Sequence, residues 1–132
     1  MRFEFAGDGN CIHFFKIIRD AIKQPRYAPS FQNFEWPWYM PGVAEYEALV
    51  KGFPFIDARV WGQNADRYFA DEAAMMRWID QPSLVPFLSY LGPQDKLAFR
   101  ELVVKQMLAA TREPDGKCFE TFRRINVSAQ KA

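Results

Sequence analysis

The sequence predicts an α/β fold, on three observations. A strand-like start ends at a glycine cluster and passes directly into helical periodicity; a second helix at 42–51 feeds a strand at 55–61; and the chain closes on an alternating apolar strand after its longest helix. With 132 residues, 49% apolar and 25% charged, the chain has the composition of a soluble globular protein and the length of a single domain spanning 1–132.

Met1 to Ala6 alternates weakly and stops at Gly7-Asp8-Gly9, where the backbone can turn sharply. From Cys11 the apolar residues Cys11, Phe14, Phe15, Ile18 and Ile22 fall at helical spacing, with Asn10 expected to cap the first turn and Pro25 to close the segment. Residues 25–41 carry Pro25, Pro29, Pro37 and Pro41, so no regular element is predicted there; loops this long are usually functional or mobile. Aromatic residues make up 17% of the chain, and Phe31, Phe34, Trp36, Trp38 and Tyr39 crowd into this loop, where they either pack in a core or line a pocket.

Gly42 to Lys51 places Tyr46, Leu49 and Val50 on one helical face, and Phe55 to Trp61 reads as a strand entered through Pro54. Asp71 is expected to cap a helix carrying Met75, Trp78 and Ile79, which Pro82 ends, with Ser83–Leu91 as a short helical segment. Pro93 and Asp95 open the longest helix, where Phe99, Leu102, Val103, Met107 and Ala110 keep a helical repeat. Pro114-Asp115-Gly116 is a turn signal, and Cys118–Ala129 reads as one strand in which Ile125, Val127 and Ala129 alternate. The expected count is thus one small sheet of three strands with about five helices.

The formal charge of +1 provides no basic field for nucleic acid, and no apolar stretch is long enough for a membrane helix, so neither partner is expected. Cys11 and Cys118 are too few for a disulfide framework, and Met1-Arg2-Phe3-Glu4 does not open like a signal peptide; a cytoplasmic, reducing compartment is expected.

His13 is the only histidine, which removes multi-histidine metal sites and leaves it as a helix-surface or partly packed imidazole. Cys11 and His13 lie about 200° apart on a helix and cannot share one metal. Gly7-Asp8-Gly9-Asn10 opens like a phosphate-binding loop, but Ile12 stands where the dinucleotide fingerprint needs glycine. The turn still falls at the ligand-binding end of an α/β strand, where Asp8, Asn10 or His13 would face a pocket. Trp36-Pro37-Trp38-Tyr39 is a candidate small-molecule lining, with Arg26, Arg59, Arg67 or Arg77 available for a substrate carboxylate. Asp71, Glu72 and Asp80 read as helix-terminal or solvated charges, and no carboxylate pair is marked for acid–base work.

Phe3-Glu4-Phe5-Ala6-Gly7-Asp8-Gly9-Asn10 resembles the fifth strand and following turn of class I S-adenosylmethionine-dependent methyltransferases. Trp38-Tyr39-Met40-Pro41, Glu45-Tyr46, Leu49-Val50 and Gly52-Phe53 resemble that family's lead into its sixth strand. Trp78, Leu84, Pro86-Phe87-Leu88, Leu91, Ala98-Phe99 and Asp115-Gly116 are similar to the helical insert of trans-aconitate methyltransferases, here expected over 71–112 between the last two strands.

This resemblance covers Phe3 to Ala129 and implies the carboxyl-terminal part of a Rossmann-like fold. The implied strand order is five, seven, six, with the last strand antiparallel between the others. It implies a substrate-side portion acting on a small molecule, with Asn10, Trp36, Trp38, Tyr39 and Arg77 as substrate-binding candidates and the catalytic residues unassigned. The glycine-rich first turn and the acidic ribose ligand have no counterpart here, so no cofactor is expected on this chain alone and no turnover without them; S-adenosylmethionine belongs to the intact family. A first strand lacking its neighbour implies a homodimer through that strand, or a separate cofactor-binding polypeptide docked there as in a split enzyme. A free-standing small-ligand or partner-binding module is the rival expectation.

Overall fold

The structure, a computed structural model, describes residues 1–132. It is a mixed α/β chain with antiparallel sheets and five α-helices, divided into two compact units.

The first unit comprises residues 1–11, 38–67 and 121–132. Its sheet holds β1 (Arg2–Ala6), β2 (Phe55–Asn64) and β5 (Arg123–Lys131) in the order β1-β5-β2, with β5 antiparallel to both neighbours. The alternation sorts the two faces: Phe3 stands opposite Val127 and Phe5 opposite Ile125, while Arg2 meets Ser128 and Glu4 meets Asn126. Helix α2 (Val43–Lys51) closes the apolar face, where Val50, Ile125 and Val127 are buried and Phe5, Tyr46, Phe55 and Val60 pack around them. Full burial of side chains such as Ile125 and Val127 contributes about 1.5–3 kcal/mol each. Gly7 follows β1 at a close approach, where a Cβ would stand 2.8 Å from Ile125 Cγ1 and 3.3 Å from the Pro41 carbonyl oxygen.

The second unit comprises residues 12–37 and 68–120. It contains α1 (Ile12–Ala21), α3 (Glu72–Trp78), α4 (Val85–Leu88) and α5 (Pro93–Thr111), with most of β3 (Arg67–Phe69) and all of β4 (Cys118–Glu120) forming a two-stranded ribbon. Phe99, Val103 and Met107 repeat every four residues along α5 and are fully buried, as are Phe14 and Ile18 of α1 and Met75 of α3. The Asp71 carboxylate caps α3 by accepting the Ala74 N–H at 2.8 Å. No helix is long and apolar enough to cross a membrane.

Several expectations are corrected. The predicted terminal strand Cys118–Ala129 is two strands, because Thr121 and Phe122 leave the extended path: β4 pairs with β3, and β5 pairs with β1 and β2. The single sheet of three strands is therefore two sheets of five strands in all. The expected order five, seven, six names three strands, whereas the chain has five: its three-stranded sheet runs β1-β5-β2, and the short β3 and β4 pair apart from it. Strand β2 runs three residues beyond Trp61, to Asn64, and carries a bulge between Ile56 and Arg59, where Asp57 adopts a positive φ of 52°. The loop 25–41, expected to hold no regular element, contains a 3-10 turn at Ala28–Phe31, where Pro29 supplies a φ suited to a helical start.

Candidate functional site

The five substrate-binding candidates are distributed over both units: Asn10, Trp38 and Tyr39 in the first, Trp36 and Arg77 in the second. Asn10 does not use its side chain as a helix cap. Its Oδ1 accepts the Arg123 N–H at 3.0 Å and its Nδ2 donates to Cys11 Sγ at 3.3 Å, so it ties the end of β1 to the start of β5. Trp38 is half-buried. Tyr39 is 62% exposed, and its hydroxyl donates to Glu45 Oε1 at 3.2 Å. Partial desolvation, followed by the Glu45 carboxylate, holds its phenol above the ordinary value.

Trp36 belongs to an aromatic cluster. Its ring meets Phe15 edge-on at 5.2 Å and lies 5.7 Å from Phe87, while the Arg19 guanidinium sits over it at 4.5 Å from the ring centre. Arg77 is exposed on α3 with no carboxylate in ion-pair range, which leaves its guanidinium available to an anion.

The turn Gly7–Asn10 was expected at the ligand-binding end of a strand; Gly7 and Asp8 line a concavity of about 130 Å³ there, and much of the turn's backbone is bonded within the chain. Asp8 N–H donates to the Pro41 carbonyl at 2.9 Å, Cys11 N–H to the Thr121 carbonyl at 2.7 Å, and the Thr121 hydroxyl to the Gly9 carbonyl at 2.7 Å.

The residue that sequence reasoning missed is Glu120. Its carboxylate, fully buried at the end of β4, accepts the Phe14 N–H at 2.9 Å, the His13 N–H at 3.3 Å and His13 Nδ1 at 2.9 Å. Helix α1 has no acidic residue in its first turn, and Glu120 supplies from a distant strand the negative charge and acceptors that its amino terminus lacks. A tautomer that donates Nδ1–H to the carboxylate leaves Nε2 as the other nitrogen of the one-third exposed imidazole. A lone glutamate in the stretch Cys118-Phe119-Glu120-Thr121 was the available signal, since burial there requires partners. No cluster of three or more metal-ligating side chains exists.

A second polar constellation lies on the uncovered face of the β1-β5-β2 sheet. Arg2 and Arg59 both register with Ser128, so two guanidinium groups flank one row, beside Trp61, around a concavity of about 540 Å³. Neither arginine has a carboxylate partner. Such a surface can hold an anion bidentately and stack a planar group on the indole. Sequence reasoning had offered Arg59 for a substrate carboxylate without placing Arg2 or Trp61 beside it.

No protein-family model matches this chain, and no curated protein matches it significantly.

Proposed function

We propose that this chain is the carboxyl-terminal, substrate-side part of an S-adenosylmethionine-dependent methyltransferase acting on a small molecule. The observation that carries the reading is topological. Because β5 lies antiparallel between β1 and β2, those two run parallel, and α2 lies in the connection between them. A terminal antiparallel strand inserted between two parallel ones is the arrangement that the resemblance implies for the end of a Rossmann-like sheet.

In this reading the aromatic loop and the helices of the second unit serve the substrate side. Arg77, exposed and unpaired, is the candidate best suited to a substrate carboxylate. His13, bonded to Glu120, is the candidate in this reading for taking a proton from a methyl acceptor. The cofactor is held by residues outside this chain, and the β1 edge is where a second copy or a cofactor-binding polypeptide adds its strand.

A second reading, a free-standing ligand-binding module, is favoured by the unpaired Arg2 and Arg59 beside Trp61. Calorimetric titration separates the two. In the methyltransferase reading the folded chain alone takes up no S-adenosylmethionine or demethylated product, and methyl transfer arises when a polypeptide with a glycine-rich first turn is added. Micromolar S-adenosylmethionine binding by the chain alone overturns the substrate-side assignment. Binding of an aromatic carboxylate that is lost in Arg59→Ala, with no cofactor requirement, selects the binding module.

A further inference from the structure

The outer edge of β1 carries more information than its openness. Met1 exchanges both backbone bonds with Ala129, its amino group donating to the Ala129 carbonyl at 2.8 Å and Ala129 N–H donating back at 3.0 Å, and Gly7 N–H donates to Arg123 at 2.9 Å. In an antiparallel ladder such residues alternate, so Met1, Phe3 and Phe5 turn their backbone groups to β5, whereas Arg2, Glu4 and Ala6 turn theirs outward. β1 pairs with no other strand, and Arg2, Phe3 and Glu4 are all exposed. Beside the edge, Met1, Phe3, Leu49 and Phe53 line an apolar groove of about 210 Å³, with Met1 63% and Phe53 56% exposed. A small unit that leaves such a patch beside an unpaired edge has the surface of an interface.

Two-fold antiparallel pairing of β1 with a second β1 must bring outward-facing backbone groups together, and three registers do so by pairing the charged residues Arg2 and Glu4 among themselves. One sets Arg2 opposite Arg2 and another sets Glu4 opposite Glu4; both place like charges in direct cross-strand contact, which is destabilising. The third sets Arg2 opposite Glu4 twice. It also puts Phe3 on the symmetry axis opposite the partner's Phe3, and Met1 opposite the partner's Phe5, all on the apolar face. Arg2 has no carboxylate of its own, and Glu4 already holds Arg124 at 2.6 Å, so the pairing extends an existing ion pair.

We infer that the occupant of this edge is a second copy of this chain, joined through β1 in the register that centres on Phe3. Self-complementarity is the argument: one five-residue strand supplies opposite charges on one face and matching apolar residues on the other under one symmetry operation. The inference rests on the open-edge part of the preceding proposal only. Its test involves no cofactor, so either reading can fail alone.

The test uses the 132-residue chain. Light scattering gives twice the 15.4 kDa chain mass for the unaltered protein. Arg2→Glu, which sets Glu opposite Glu4, halves that mass, and adding Glu4→Arg restores it. Phe3→Cys closes an intermolecular disulfide under mild oxidation, because facing residues of a non-hydrogen-bonded pair fall within disulfide reach. Phe5→Cys, opposite Met1, does not. Circular dichroism checks that each variant is folded, and Cys11 and Cys118, both buried, leave the unaltered chain uncross-linked. A monomeric unaltered protein assigns the edge to a foreign strand and overturns the inference. A dimer that survives Arg2→Glu, or that cross-links through Phe5→Cys rather than Phe3→Cys, overturns the register.

Discussion

The two compact units differ in where many of their rings lie, although Phe5, Tyr46 and Phe55 pack in the first and Tyr68 and Tyr90 stand exposed in the second. In the second, Phe14, Phe87 and Phe99 are fully buried and Trp36 is covered by neighbouring rings and the Arg19 guanidinium. In the first, Tyr39, Phe53, Trp61 and Phe3 stand on the surface, Phe3 on a strand with an unpaired edge. The same residue types therefore do two jobs: rings meeting rings at 5–6 Å make a core, while rings beside unpaired arginines or an open edge make a binding surface. Aromatic content alone distinguishes neither; the contacts do.

The largest effect is expected where the rings are most enclosed. Phe87 lies 5.5 Å from Phe34, 5.7 Å from Trp36 and 6.3 Å from Phe14, so Phe87→Ala removes a shared partner and leaves a cavity. A loss of about 3–5 kcal/mol is expected by urea denaturation. Phe53→Ala, at an exposed ring, is expected to change stability by no more than about 0.5 kcal/mol in the monomeric state. Equal losses at the two positions would break the comparison.

A smaller effect sharpens what holds the second unit together besides rings. Glu120→Gln keeps the shape but removes the charge and one acceptor from a site where two backbone N–H groups and an imidazole converge. A loss of about 1–3 kcal/mol is expected, with faster amide exchange at His13 and Phe14. Unchanged exchange there would mean that α1 does not depend on this carboxylate.

Much of this fold was legible in the sequence, and its failures are instructive. The helical periodicities around Phe14 and Phe99 were strong because each buries one continuous face, and Asp71 was readable as a cap because its partner, Ala74, is three residues away. Strand β3 escaped notice and β4 was merged with β5, because three residues are too few for alternation to register and the β3–β4 pairing joins segments about fifty residues apart. Glu120 escaped for the same reason: a cap drawn from more than 100 residues away leaves no local spacing to read. Asn10 was a reasonable local cap that lost to a tertiary partner, the Arg123 N–H. The Arg2–Ser128–Arg59 row required the β5 register, which only pairing defines.

A modest effect is expected at an ion pair that looks strong by geometry. Arg100 grips Asp80 with two bonds of 2.9 Å, Nε to Oδ1 and Nη2 to Oδ2. These bonds hold the Asp80 carboxyl below its ordinary value against the opposing pull of desolvation, and the same bonds raise Arg100. A carboxyl group lowered on folding stabilises the protein above the ordinary carboxylate range and loses that contribution as pH falls through its folded value. Asp80→Asn should therefore be less stable near neutrality and converge with the parent in acid. Because the Asp80 side chain remains 39% exposed, solvent screening limits the difference to less than about 1 kcal/mol. Thermal melts of both proteins from neutral to acidic pH read the sign directly: a gap that widens in acid would contradict the lowered carboxyl, and a neutral-pH gap as large as that of Phe87→Ala would mean that this pair, rather than the rings, anchors the second unit.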